Sequence, residues 1–113
     1  MNNLFNNELL NSIVWIKQFY LDMYSLKMTV LCVQNGIDVY YDITIKDVVA
    51  CIFRQEDPSE DFNVIDAFLE PFNECIYLDF MHSPSKSEYW VLRFHSGLHH
   101  LVVGFKTADL VHL

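Results

Sequence analysis

Asn35-Gly36 lies between two runs of β-favouring residues, VLCVQNGIDVYYDI, and constrains the fold more than any other stretch of the chain. A two-residue turn between antiparallel strands needs positive φ at both central positions, which Asn and Gly adopt at least cost. The pair therefore predicts a tight hairpin. Side chains alternate across a strand, so Met28, Val30, Cys32, Val39, Tyr41 and Ile43 share one face. Thr29, Leu31, Val33, Asp38, Tyr40 and Asp42 take the other.

Other elements are read around this hairpin. Residues 8–26 are expected to form a helix, with Glu8, Asn11, Gln18, Asp22 and Ser25 on one stripe and Leu9, Ile13, Ile16, Tyr20 and Met23 opposite. Asn6 or Asn7 can cap it. Trp15 interrupts the polar stripe, either as a ring at the core edge or as an exposed anchor. VVACIFR, residues 48–54, is read as a strand on its β-branched content rather than as a short helix. Asp57-Pro58-Ser59-Glu60 has the form of a helix start, predicting a helix over 58–69 that buries Phe62, Ile65 and Leu69 and stops before Pro71. Strands are expected over 75–82, 88–95 and 98–106, joined by a Ser83–Ser87 loop and a turn at Ser96-Gly97. The expected fold is one α+β domain over 1–113. It has an antiparallel sheet of about five to six strands and two helices.

Three of the five histidines fall within FHSGLHHL, residues 94–101. A two-residue turn at Ser96-Gly97 would set Phe94 opposite His99. Trp90, Leu92, Phe94, His99, Leu101, Val103 and Phe105 would then line a core face, with His95 and His100 on the other side. Adjacent residues of a strand point to opposite faces, so His99 and His100 do not ligate one ion together. Cys75, His95 and His100 form a conceivable three-ligand zinc patch, though no fourth ligand is evident. The expectation is no metal and no cofactor. A nucleophilic Cys75 is disfavoured because Glu74 stands beside it, whereas a reactive thiolate needs an electropositive setting. No nucleophile elbow, phosphate-cradling glycine loop, zinc-protease helix or calcium loop occurs, so the chain is read as a non-enzyme.

Cys32, Cys51 and Cys75 are widely spaced within apolar runs and read as buried thiols of a reducing compartment. The N-terminal stretch lacks the pattern of a secretory signal, and the longest apolar run is interrupted by Lys17, Gln18, Asp22 and Ser25. A cytoplasmic location is expected.

Charge gives the strongest functional indication. Fifteen acids against seven lysines and arginines give a net charge of −8. Such a surface repels nucleic acid and anionic membranes and attracts basic proteins. No lysine or arginine lies between Arg54 and Lys86, an interval that carries Glu56, Asp57, Glu60, Asp61, Asp66, Glu70, Glu74 and Asp79. These acids, with Tyr77 and Tyr89 as aromatic neighbours, are the expected partner-contact residues. In overall character the chain resembles the immunity proteins of bacterial toxin–immunity systems, including contact-dependent growth inhibition. That resemblance implies stoichiometric neutralisation of a cognate toxin domain, commonly a basic nuclease. Two alternatives are a phage-type inhibitor that imitates nucleic acid and a structural domain that forms a homodimer.

Overall fold

The computed structural model describes residues 6–56, 61–75 and 88–113. Among them the molecule is almost entirely antiparallel sheet, with nine strands in two sheets and one short helix. Two helices and five to six strands are not what forms.

Helix α1 spans only Asn7–Ser12. Asn6 caps it as expected, its side-chain oxygen accepting from the Leu9 amide at 2.9 Å. The helix stops where Ile13 turns extended. The chain then runs as strand β1 (Ile13–Asp22), β2 (Ser25–Gln34) and β3 (Ile37–Lys46). The expected helix over 8–26 is therefore mostly strand. Ile13, Val14, Ile16, Phe19 and Tyr20 are β-branched or aromatic, types that fit a pleated surface. Two bulges, between Ile13 and Trp15 and between Ile16 and Gln18, each insert a residue into β1. They place Ile13, Ile16 and Phe19 inward at intervals of three, a spacing that imitates a helix.

The β2–β3 hairpin forms as the Asn35-Gly36 pair requires, with φ of 54° and 76° at those residues. Met28 pairs with Ile43, Val30 with Tyr41 and Cys32 with Val39, so both hairpin faces carry the expected residues. The remaining strands are β4 (Ala50–Gln55), β5 (Phe62–Asn63), β6 (Asp66–Pro71), β7 (Trp90–His95), β8 (His99–Phe105) and β9 (Thr107–His112). Residues 62–69 are thus two strands rather than a helix. Phe62 faces inward from β5 and Leu69 from β6, while Ile65, at the crossing between them, is 71% exposed. Residues 57–60, where the helix start was expected, lie outside the described residues, as does most of the expected strand 75–82 and its following loop. The strand expected over 98–106 forms as β8, and β9 follows it in the other sheet.

The five-stranded sheet has the order β5-β1-β2-β3-β9 and the four-stranded sheet β4-β8-β7-β6. Three segments pass from one sheet to the other within a few residues: β3 into β4, β5 into β6, and β8 into β9. The first and last crossings run side by side, with Val49 donating to the Gly104 carbonyl and Lys106 to that of Lys46. Between the sheets lies one core of Leu26, Met28, Val30, Ile43 and Ile45 against Leu92, Phe94, Leu101, Val103 and Phe105. The outer face of the four-stranded sheet carries a second, smaller cluster of Phe72, Cys75, Val91 and Val102. No helix among the described residues is long and apolar enough to cross a membrane.

Candidate functional site

The β7–β8 hairpin organises the chemistry. Phe94 pairs with Leu101 and His95 with His100, so the register sits two residues away from the expected Phe94–His99 pairing. A two-residue slip leaves every side chain on its face. The turn is wider because the Ser96 hydroxyl accepts from the Leu98 amide at 3.1 Å and the His99 amide at 2.8 Å. His95 and His100 accordingly stand directly opposite one another on the outer face, and His99 turns inward.

On the outer face, Glu70, Arg93, His95 and His100 form a bonded series across three strands. Arg93 Nε donates to Glu70 Oε1 at 2.7 Å, and Arg93 Nη1 lies 3.0 Å from His95 Nε2. His95 Nδ1 lies 2.7 Å from His100 Nδ1. A guanidinium only donates, so His95 Nε2 accepts and its hydrogen sits on Nδ1. His100 Nδ1 then accepts in turn. The Arg93 guanidinium carbon also rests 4.5 Å from the centre of the Phe68 ring. Burial pushes the His95 imidazole below its ordinary value, and Arg93 and His100 add to this, while Asp66 and Glu70 oppose it.

Cys75 does not join this pair. It packs with Phe72, Val91 and Val102 at the far end of the same face, beyond the partner positions of β6 and β7. The position across from His95 belongs to Asp66. Among the described residues no three His, Cys, Asp or Glu side chains stand together to hold a metal. Burial raises the thiols of Cys32 and Cys51 above their ordinary value, which keeps them protonated and unreactive.

The expected acidic residues separate into two groups. Glu56, Asp61 and Asp66 gather at the end of the molecule that bears the β7–β8 turn. The Glu56 amide donates to the Leu98 carbonyl on one side of that turn, and Ile65 donates to the His95 carbonyl on the other, beside Asp66. All three acids are exposed. Glu70 is half-buried and committed to Arg93, and Glu74 is exposed at the opposite end of β7 with Tyr89 packed nearby on Phe72. Asp57, Glu60, Tyr77 and Asp79 lie outside the described residues.

A cleft of about 350 Å³ opens at the acidic end. Asp61, Gln55, Gln18, Lys17 and Trp15 contribute to its sides along with Ile16, Phe19, Phe53 and Phe62, and His99 forms part of its wall. His99 is only 2% exposed, and neither ring nitrogen has a hydrogen-bond partner among the described residues. Leaving a buried polar group unpaired costs about 1–3 kcal/mol. The ring is stacked on Phe62, with centroids 5.1 Å apart and planes at 25°, and on Phe53 at 6.4 Å and 24°. A larger cleft of about 620 Å³ between α1 and the end of β9 holds no such buried unpartnered group among the described residues. The sequence placed His99 on the core face, but its isolation depends on Phe53 and Phe62, which reach it from strands distant in the chain.

Comparison with protein families, with curated proteins and with solved structures gives no match for this chain.

Proposed function

We propose that this protein is a stoichiometric inhibitor that binds one basic protein, in the manner of an immunity protein against a toxin domain. The observation that supports this reading most is the gathering of Glu56, Asp61 and Asp66 at one end, just after β4, just before β5 and at the start of β6, in a chain of net charge −8. Opposite charges concentrated on one surface speed encounter with a basic partner and exclude acidic ones. Asp57 and Glu60 fall between Glu56 and Asp61 in the sequence and add to the negative charge of that segment. On this reading the protein is not an enzyme and works in the cytoplasm, where its thiols stay reduced.

The test is growth of cells that express the neighbouring reading frame, with and without this chain. Rescue from a toxic neighbour is expected, and reversing Glu56, Asp61 and Asp66 to Lys should abolish it while the melting transition is retained. Rescue by the reversed variant would overturn the acidic-end interface.

A second reading, a homodimer, is favoured by the outer face of the five-stranded sheet. Trp15 pairs with Leu31 and Leu31 with Tyr40, and Val33 and Tyr40 are 41% and 38% exposed. A mass that falls with dilution would support it.

A further inference from the structure

We propose that the cleft at His99 is an anchor pocket for an arginine side chain of the basic partner. This rests on the inhibitor reading above and names the group recognised at that end.

The buried imidazole supplies the first ground. About nine in ten buried polar groups in folded proteins are paired, yet both nitrogens of His99 lack a partner among the described residues. A neutral imidazole offers one acceptor, which an incoming N–H satisfies. The walls supply the second. Phe53 and Phe62 stack near-parallel with His99, the buried Phe62 behind and Phe53 42% exposed. Phe53 is therefore the ring open to an entering group, and Phe19 meets it edge-on at 4.9 Å. A planar guanidinium stacks on such faces and is held there by the ring quadrupole. The rim supplies the third. Asp61 is the carboxylate of the cleft, with Glu56 following Gln55 at the same end. Lys17 also borders the cleft, but its ammonium leans over the Tyr40 ring, 5.8 Å from the centroid.

Arginine fits these features better than other anchors. Its fork of five donors serves the Asp61 carboxylate and the His99 acceptor together, whereas lysine carries a compact, strongly hydrated charge. An apolar anchor would fill the aromatic walls and leave His99 unpaired.

The experiment titrates the isotopically labelled full chain with N-acetyl-arginine amide, N-acetyl-lysine amide and N-acetyl-leucine amide at low salt. It reads the resonances of His99, Phe53, Phe62 and Trp15. Saturable shifts are expected with the arginine compound. Its affinity should exceed that of the lysine and leucine compounds, and should fall about tenfold in Asp61→Asn, the loss of one charge-assisted hydrogen bond. His99→Leu, checked for a cooperative melt, should bring arginine down to the level of lysine. Asp61→Asn lies on the surface and keeps the test decisive if that core change unfolds the protein. Absence of saturable shifts, equal binding of arginine and lysine, or unchanged affinity in Asp61→Asn would each overturn the pocket. If arginine does not bind but charge reversal abolishes rescue, the pocket falls and the inhibitor reading stands. If arginine binds at His99 while the reversed variant still rescues, the guanidinium site stands and the inhibitor reading falls.

Discussion

His95 is the residue whose surroundings most directly link proton concentration to stability. Burial, Arg93 and His100 hold it below its ordinary value of 6.5, against the opposing pull of Asp66 and Glu70, and Arg54 faces its partner His100 from β4. A histidine depressed in the folded state takes up its proton in the unfolded chain first. Its contribution is therefore complete above about pH 6.5 and is lost as pH falls from there through the lower folded value. Urea midpoints taken between about pH 7.5 and about pH 5 should decline over that window. His95→Gln should flatten this part of the profile, and an unchanged slope in the variant would assign the pH dependence elsewhere. At this scale the sequence was most informative about facing. Asn35-Gly36 set the hairpin, and residue parity put His99 inside with His95 and His100 outside. Parity did not reveal the Ser96 hydroxyl bonds that widen the turn and bring His95 opposite His100.

β1 carries the test of why a helix was expected and a strand formed. Lys17 is the extra residue of its second bulge, flanked by the pairs Ile16–Val30 and Gln18–Thr29. Deleting Lys17 leaves those pairs adjacent in a regular ladder, with Ile16 and Phe19 still inward. The variant should keep its far-ultraviolet spectrum and a cooperative melt. Removing Thr29 from unbulged β2 flips Met28 relative to Val30 and should unfold the protein, because a one-residue slip exchanges the buried and exposed faces. A helix over the same residues would suffer from the Lys17 deletion, which turns its apolar face by about 100°. The same physics explains residues 62–69. Phe62 and Val64 alternate inward before the crossing and Ala67 and Leu69 after it, so one irregular step breaks a period of two into spacings that resemble a helix. β4, with no such step, was legible from composition.

At the scale of the molecule, three crossings tie the sheets into one hydrogen-bonded body, and the core between them belongs to neither alone. Unfolding should be a single transition. Trp15 lies in the five-stranded sheet and Trp90 in the four-stranded one, and the chain has no other tryptophan. Fluorescence from Trp15→Phe and Trp90→Phe variants, corrected for each variant's own stability by circular dichroism, should report the same transition as the backbone signal. Separate transitions would mean that the sheets melt independently. Composition correctly signalled a large core and an acidic surface, but one contiguous acidic segment does not make one contiguous surface. Glu56, Asp61 and Asp66 share an end, Glu74 lies away from it and Glu70 is neutralised by Arg93. The bonded series on the outer face also has a direction. Starting at a guanidinium, each link passes the donor role onward, so it ends with hydrogen on Nε2 of a half-exposed His100. At that imidazole the face therefore offers a donor, while acceptors stand at the exposed Asp66 opposite His95 and at the Asp61 cleft. A visitor that touched both the donor and an acceptor would have to be polar in the complementary sense, and turning it end for end would set like against like.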